Sequence, residues 1–231
     1  MKAILLAGGR GKRLRPITDT LPKVMVPVAG KPILQWQIEW LRRYGVQCFV
    51  LSIGHLAHKV QEAFGDGSDL GVKIEYAIED EPLGTGGALR KAMSFIGGSG
   101  PVIVTNGDLL TDIDPWRAER SRAARGAIGA INLVPLPSPY GVVELDSTSL
   151  VTSFREKPFL HDHWINAGVY TLAPEIFPYL PERGSLEHDV FPVLAREGKL
   201  LGYRYEGCFW HSIDSHKDIE EASEKILNTS P

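Results

Sequence analysis

The sequence predicts an α/β fold of three layers, in which helices cover both faces of a doubly wound, mostly parallel sheet. Two observations support this fold class. Short apolar runs alternate with longer amphipathic stretches from the first residues onward, and the runs are dense enough for strands that are buried on both faces. The length of 231 residues, 43% of them hydrophobic, suits one closed hydrophobic core, so we expect a single domain over residues 1–231.

The first half of the chain supplies four predicted strands and three predicted helices. The strands are Ala3–Ala7, Cys48–Leu51, Val72–Tyr76 and Val102–Val104, and the helices lie at about residues 33–44, 57–64 and 86–95. Apolar residues recur at helical spacing in these stretches, and the first stretch stops at Gly45, a residue type that commonly follows a helix. The alternation of strand and helix favours parallel strands joined by helices.

The pattern changes beyond about residue 126. Short alternating segments at residues 141–145, 151–154 and 165–172 predict antiparallel strands, and a last helix is predicted at about 215–228. We therefore expect a first half, about 1–125, built on the parallel strands. The second half, about 126–231, should add a smaller antiparallel portion that forms a second ligand-facing wall rather than a separate domain.

Charge and cysteine usage exclude several classes of protein. The 25 Lys and Arg residues against 28 Asp and Glu residues give a net charge of −3, so no global basic field is available for a nucleic acid. No apolar stretch approaches the roughly 20 residues of a membrane span, and residues 3–7 are too short for a signal peptide. Cys48 and Cys208 belong to no metal-binding or disulfide pattern, which suits the reduced cytoplasm.

A glycine-rich basic loop, LAGGRGKRLRP, follows the first predicted strand directly. Ligands bind at this edge of open α/β sheets. Gly8, Gly9 and Gly11 let backbone amides approach a phosphate, and the neighbouring Lys and Arg side chains supply positive charge. The loop matches neither the Walker pattern, because Arg13 follows Lys12, nor the dinucleotide GxGxxG pattern. A solvated basic loop is the alternative interpretation.

Two further segments carry candidate ligand-binding residues. Asp108 follows the buried strand at 102–104, where a carboxylate at the carboxyl edge of the sheet can hold Mg²⁺, although an Asx turn is the alternative. The segment from Glu79 to Leu89 delivers small residues to a predicted helix start. Free amides and the helix dipole favour polar ligand groups there, although a simple capped helix start would look similar.

Together these segments resemble the nucleotidyltransferases that make NDP-sugars from an NTP and a sugar 1-phosphate. The chain carries PKVMVPVAGKP after the glycine loop, then EPLGTGGAL, NGD, EKP and NAGVY, in the order of that family and almost to the end of the chain. The resemblance implies a Rossmann-like fold and an Mg²⁺-assisted in-line displacement. It assigns residues 1–125 to the nucleotide and residues 126–231 to the sugar phosphate.

The resemblance also implies a role for each matching residue. Arg13 promotes the departure of pyrophosphate and Lys23 contacts phosphate, as the catalytic pair. The nucleotide-binding residues are Leu6, Ala7, Gly8, Gly9, Gly11, Glu79, Pro82, Gly87 and Asp108, and Asp108 is also the metal ligand. The sugar-phosphate-binding residues are Gly141, Glu156, Lys157 and Asn166.

The chain departs from the family pattern near its end. Where the family has YWxDIGTPxDY, with the first Asp as a second Mg²⁺ ligand, this chain has Ser212 in place of that Asp and Asp214 in place of the Gly. If residues 208–214 form a strand, these two side chains point to the same face about 6.6 Å apart. Asp214 is then a candidate metal ligand through water. Otherwise the loss of one carboxylate weakens Mg²⁺ binding, alters the metal preference, or marks a protein that binds nucleotide sugar without turning it over.

The substrates follow from weaker resemblances. EPLGT, together with Ser185–Asp189 and Glu197–Lys199, is similar to the guanylyltransferases of mannose 1-phosphate, so we expect GTP and mannose 1-phosphate. Guanylylation of heptose 1-phosphate, thymidylylation or uridylylation of glucose 1-phosphate, and a non-catalytic nucleotide-sugar-binding regulatory protein are the alternatives. We expect no C-terminal β-helix of the kind that many relatives carry, and the oligomeric state stays open, a homo-oligomer included.

Overall fold

The computed structural model describes residues 2–97 and 99–229. The first half contains β1 (Lys2–Ala7), α1 (Ile17–Thr20), β2 (Pro27–Val28), β3 (Lys31–Pro32), α2 (Ile33–Arg43), β4 (Cys48–Ile53), α3 (Ala57–Phe64), β5 (Lys73–Ile78), α4 (Gly84–Met93), β6 (Val102–Asn106), β7 (Leu109–Thr111) and α5 (Pro115–Arg125). The second half contains β8 (Gly129–Pro137), β9 (Val142–Leu145), β10 (Val151–Arg155), β11 (Phe159–Leu172), α6 (Phe191–Arg196), β12 (Leu200–Arg204), β13 (Trp210–Ser212) and α7 (His216–Thr229).

Seven strands form the principal sheet, in the order β12-β8-β11-β6-β1-β4-β5. The pairs β1–β4, β1–β6, β4–β5 and β8–β12 are parallel, whereas β11 runs antiparallel to both β6 and β8. The sheet therefore combines strands from both halves of the chain. Its mostly parallel order confirms the predicted fold class.

The hydrophobic core lies on both faces of this sheet, because successive residues of a strand point to opposite sides. Leu5 of β1 packs in one cluster with Leu34 of α2, and Ile4 packs in the other with Leu89 of α4; all four side chains are fully buried. The strand β1 thus contacts helices above and below, which is the three-layer arrangement that its dense apolar sequence predicts.

The predicted antiparallel strands do not all lie in one smaller portion of the molecule. The expected strand at 165–172 is the second part of β11 and belongs to the principal sheet. Of the predicted antiparallel strands, those at 141–145 and 151–154 form a separate hairpin of β9 and β10, which leaves Phe154 and Leu145 largely exposed. The strands β8 and β12 were not predicted.

Two strand pairings position the polar residues of the site. Leu6 of β1 lies beside Asn106 of β6, so the loops after these strands are neighbours. The Gly107 amide donates to the Leu6 carbonyl at 2.9 Å, and a Cβ at Gly107 would lie 2.8 Å from that oxygen, so a glycine is required there. The strand β13 pairs with β7, and the Ile213 amide donates to the Asp108 carbonyl at 2.7 Å.

Across the part of the chain that the structure describes, no helix combines the length and apolar character that crossing a membrane requires. Both cysteines, Cys48 and Cys208, are free thiols.

Candidate active site

A cleft of about 300 Å³ opens at the carboxyl ends of β1 and β6. Its lining residues are Leu6, Ala7, Gly8, Gly9, Lys23, Val24, Glu79, Pro82, Gly84, Thr85, Ala88, Asn106, Gly107 and Asp108. The structure therefore brings most of the predicted nucleotide-binding residues to one place. Small residues on both sides of the cleft leave space for a ligand between the glycine loop and the start of α4.

Two carboxylates and two cations meet at one end of the cleft. The Lys23 Nζ atom lies 2.7 Å from Asp108 Oδ2 and 2.8 Å from Asp214 Oδ1. Arg13 Nη2 lies 2.7 Å from the same Asp214 oxygen. The Lys23 side chain is 13% exposed, whereas that of Arg13 is 75% exposed. Lys23 is thus fixed between the carboxylates, while the Arg13 guanidinium faces solvent.

The predicted strand over 208–214 is wrong in its extent, because β13 ends at Ser212. The chain then turns, and the Asp214 amide donates to Asp218 Oδ2 at 2.9 Å. The Ser212 hydroxyl donates to Asp214 Oδ2 at 3.1 Å. The turn carries the Asp214 carboxylate to the same ammonium that Asp108 binds, so the two carboxylates converge without a continuous strand.

The Asp214 carboxyl group is ionised at neutral pH. Burial raises its pKa, but the hydrogen bond and charge of Lys23, with smaller contributions from Arg13 and Ser212, bring the pKa below its ordinary value. Carboxylate oxygens are the ligands that hard divalent cations prefer. Asp108 and Asp214 therefore offer a suitable donor pair for such a cation at the position now held by the Lys23 ammonium.

Glu79 lies against the glycine loop. It accepts hydrogen bonds from the Ser52 hydroxyl at 3.0 Å and from the Leu83 amide at 3.2 Å. A Cβ atom at Gly8 would lie only 2.4 Å from Glu79 Oε1, whereas a Cβ at Gly9 would meet nothing within 4 Å. A side chain at position 8 would thus force the Glu79 carboxylate to leave its present position.

The different surroundings of Gly8 and Gly9 predict that only one of two neighbouring alanine substitutions lowers stability. Gly8→Ala should displace the Glu79 carboxylate from its two donors and cost about 1–3 kcal/mol of unfolding free energy, because the new methyl group overlaps the carboxylate. Gly9→Ala should change the stability by less than about 0.5 kcal/mol. Urea unfolding of both variants measures the difference. Equal stability of the two variants would contradict this account of Gly8.

The start of α4 differs from its prediction. The amides of Gly86 and Gly87 are not free for a ligand, since both donate to the Gly184 carbonyl, at 2.9 and 3.4 Å. A Cβ at Gly87 would lie 2.4 Å from the Glu182 carbonyl oxygen. Gly87 therefore allows α4 to pack closely against the backbone at Glu182. The lining of the cleft contains Thr85 and Ala88 from α4, but not Gly87. Its predicted nucleotide contact stays a prediction.

A chain of side-chain hydrogen bonds connects Thr85 to the predicted sugar residue Asn166. The Thr85 hydroxyl donates to Glu187 at 2.7 Å, the Tyr170 hydroxyl donates to the other Glu187 oxygen at 3.3 Å, and the Asn166 amide donates to the Tyr170 hydroxyl at 2.9 Å. Burial raises the pKa of Tyr170, which keeps the phenol protonated. Sequence reasoning assigned no role to Glu187.

The other predicted sugar-phosphate residues lie near the β9–β10 hairpin, outside the described lining of the cleft. A Cβ at Gly141 would lie 2.7 Å from the Phe154 ring and 3.1 Å from Glu156. Lys157 Nζ lies 3.9 Å from Glu156, and both side chains are more than half exposed. The structure thus groups Gly141, Glu156 and Lys157 together, with a lysine that is free to reach an anion.

Two loop residues contribute to the shape of the site from outside the lining. Gly11 has a left-handed backbone, with φ of 59°, and a Cβ there would lie 3.0 Å from the Lys23 Cβ. The glycine lets the loop pack against the stem of Lys23. Arg13 follows in the next turn and reaches the cluster through Asp214.

The sheet order and the cleft define a doubly wound α/β protein with its site beyond the carboxyl ends of two adjacent parallel strands. A family model described as "Nucleotidyl transferase" matches residues 2–229. The chain belongs to this family, which confirms the resemblance seen in the sequence.

Several relatives have known names. A Synechocystis UTP-glucose-1-phosphate uridylyltransferase is 35% identical over 99% of this chain and 64% of its own length. A Danio rerio mannose-1-phosphate guanylyltransferase catalytic subunit beta is 36% identical over 95% of this chain and 62% of its length. A Campylobacter jejuni D-glycero-alpha-D-manno-heptose 1-phosphate guanylyltransferase is 37% identical over 77% of this chain and 78% of its length. The chain spans less than two thirds of the first two relatives.

The crystal structure of HddC from Yersinia pseudotuberculosis, complexed with GMP-PN, has a TM-score of 0.74 to this chain. The two chains are 30% identical, and the match covers 97% of this chain and 99% of HddC. The fold of this protein is thus that of a protein solved with a nucleotide ligand.

Proposed function

We propose that this protein transfers a nucleotidyl group from an NTP to a sugar 1-phosphate and releases pyrophosphate. The observation that carries the proposal is the convergence of Lys23, Asp108, Asp214 and Arg13 at one end of the glycine-loop cleft. A phosphate oxygen of the sugar 1-phosphate attacks the α-phosphorus, and the bond from that phosphorus to pyrophosphate breaks. Such an in-line displacement depends on positioning and charge neutralisation, and it needs no nucleophilic side chain.

Each charged residue has a distinct part in this reaction. Asp108 and Asp214 would hold Mg²⁺, which would supply positive charge to neutralise the triphosphate. Lys23 moves from the carboxylates to a phosphate oxygen of the nucleotide. The solvent-facing guanidinium of Arg13 pairs with the departing pyrophosphate, and the exposed Lys157 ammonium pairs with the phosphate of the sugar.

GTP and mannose 1-phosphate are the substrates that we propose. The similarity to a mannose-1-phosphate guanylyltransferase over 95% of this chain supports both substrates. The GMP-PN complex of HddC supports a guanine nucleotide. The heptose 1-phosphate guanylyltransferase and the glucose-1-phosphate uridylyltransferase among the relatives make heptose 1-phosphate with GTP and glucose 1-phosphate with UTP or dTTP the alternatives.

Pyrophosphate release in the presence of Mg²⁺ tests the proposal directly. The panel combines GTP, UTP, dTTP, ATP and CTP with mannose, glucose and heptose 1-phosphates. Release with GTP and mannose 1-phosphate alone supports both parts of the proposal, and release with another pair keeps the reaction but replaces the substrates. No release from any pair, with a nucleotide sugar still bound in calorimetry, would favour a regulatory protein that binds nucleotide sugars.

Lys157→Ala should lower kcat/KM for the sugar 1-phosphate by about 10²-fold or more, because a charge-assisted contact to the attacking phosphate is lost. The melting temperature should not change, since the lysine is more than half exposed and its nearest carboxylate is 3.9 Å away. Steady-state kinetics with varied sugar 1-phosphate measures the effect, and Arg155→Ala on the same hairpin is the control. A fully active Lys157→Ala variant would remove Lys157 from the mechanism.

A further inference from the structure

A second group of metal-binding side chains lies outside the cleft, between β13 and α7. It consists of His211, Asp218 and Glu221, and one ligand atom from each lies within 4.8 Å of the others. Asp218 and Glu221 are three residues apart on α7, so they share a face of the helix. His211 is the middle residue of β13, where pairing with Leu110 of β7 fixes its backbone.

One nitrogen of the His211 imidazole lacks a hydrogen-bond partner from the protein. The residue is 9% exposed, and its Nε2 atom is buried without a hydrogen-bond partner among the described residues. A buried polar atom in this state normally has a partner, because the loss of its hydrogen bond to water is costly. Imidazole nitrogens are common ligands of transition metals, so a metal ion is one group that would satisfy this nitrogen.

The two carboxylates have capacity for an additional bond. All three hydrogen bonds that the described residues donate to the Asp218 carboxylate, from the Asp214 amide and from the amide and hydroxyl of Ser215, use Oδ2. Glu221 is paired with Lys217 at 3.0 Å on the helix surface. Both side chains of this pair are more than two fifths exposed. Such surface ion pairs are weak enough for a divalent cation to replace the lysine.

We propose that His211, Asp218 and Glu221 form a binding site for a divalent transition-metal ion of the zinc class, separate from the Mg²⁺ site at Asp108. One imidazole nitrogen and two carboxylate oxygens are a donor set that suits Zn²⁺, whereas Mg²⁺ prefers oxygen donors alone. Two donors bound to one tetrahedral ion at about 2.0–2.2 Å lie about 3.3–3.6 Å apart. Ligand atoms separated by 4.8 Å therefore have to come closer by about 1.2–1.5 Å. Side-chain rotation of both Glu221 and Asp218 on α7 supplies this closure.

Calorimetric titration of the chelator-stripped full chain with Zn²⁺, without nucleotide or Mg²⁺, tests the site. The wild type should bind Zn²⁺, and Asp108→Asn should retain this binding, which separates the new site from the cleft. His211→Gln and Glu221→Gln should each weaken the affinity at least about 100-fold, since each removes a direct ligand. Glu220→Gln, which changes the adjacent exposed carboxylate, should bind as the wild type does. Lys217→Gln should bind more tightly, because the competing ammonium is gone.

The outcome is decisive in either direction. Unchanged Zn²⁺ affinity in Glu221→Gln and His211→Gln, loss of binding in Asp108→Asn, or no binding by the wild type would each overturn the proposal. Melting temperatures in EDTA establish that the variants are folded. If His211→Gln does not fold, Glu221→Gln decides alone, because the Glu221 side chain lies at the surface of α7 and its loss leaves the core intact. The readout is metal affinity, so failure of the proposed nucleotidyl transfer would not affect it.

Discussion

Asp108→Asn is expected to lower kcat for nucleotidyl transfer by about 10³-fold, because the substitution removes the negative charge that binds Mg²⁺ and keeps the shape of the side chain. The melting temperature in EDTA should change little. The amide oxygen of the variant can still accept a hydrogen bond from Lys23, and Lys23 keeps its 2.8 Å contact with Asp214. Pyrophosphate release at saturating substrate, measured over a range of Mg²⁺ concentrations, gives the effect.

Asp112→Asn is the matched control for this prediction. Asp112 follows Asp108 by four residues, and its Oδ1 accepts a hydrogen bond from the Phe209 amide at 2.9 Å, a bond that asparagine can also accept. The control should therefore retain nearly full activity. Loss of activity in both variants to the same extent would mean that Asp108 acts through the local structure and not through a metal ion.

Lys23→Met is expected to reduce both activity and stability. The proposed phosphate contact is lost, so kcat/KM should fall by about 10²–10³-fold. In EDTA at pH 7 the unfolding free energy should fall by about 1–3 kcal/mol, because Asp108 and Asp214 then face each other without the ammonium that now contacts both. Urea unfolding and steady-state kinetics measure the two effects separately.

The pH dependence of this loss has a definite sign. In the wild type, the lowered pKa of Asp214 stabilises the fold at neutral pH, and this contribution is lost as the pH falls through that lowered value. In Lys23→Met, repulsion from Asp108 raises the pKa of Asp214, so the variant loses stability as the pH rises. The difference in melting temperature between wild type and variant should thus be largest near pH 7, shrink as the pH falls, and become small only below the lowered pKa of Asp214.

Addition of Mg²⁺ provides the second test of Lys23→Met. The cation takes the place of the missing ammonium, so it should raise the melting temperature of the variant more than that of the wild type. A variant whose stability is independent of both pH and Mg²⁺ would show that Asp108 and Asp214 do not form one charge cluster in solution.

The predictable strands are those buried on both faces of the sheet, because such burial requires an almost continuous run of apolar residues. The strand β1 is an example, because Ile4 and Leu5 are both fully buried, on opposite sides. The strand β8 was missed because it contains Pro135, Pro137 and the polar Asn132. Asn132 is fully buried, and its amide donates to the Val169 carbonyl at 3.0 Å. Val169 lies on β11, which is next to β8 in the sheet but 37 residues away along the chain, so the sequence around Asn132 does not reveal this hydrogen bond.

The candidate site likewise contains residues whose positions were predictable from nearby strands and residues whose positions depend on contacts distant in sequence. The glycine loop and Asp108 follow strands that were predictable, so their meeting at the sheet edge followed from the fold. The position of Asp214 depended on the pairing of β13 with β7 and on the turn at Asp218, which no short motif encodes. Glu187 was missed for a related reason, because its partners Thr85 and Tyr170 are brought to it only by tertiary packing.

The contact between Arg13 and Asp214 joins residues 201 positions apart. A ribosome exposes the glycine loop, Lys23 and Asp108 long before it adds Asp214. The nascent chain therefore passes through a stage in which Lys23 has only Asp108 of its two carboxylate partners and Arg13 lacks its contact with Asp214. Contacts of such sequence separation form late, because the intervening loop must first be ordered. Competence for catalysis is therefore expected to appear only after residue 214 has been synthesised, and fragments that stop before residue 214 should be inactive even where their parallel strands have folded.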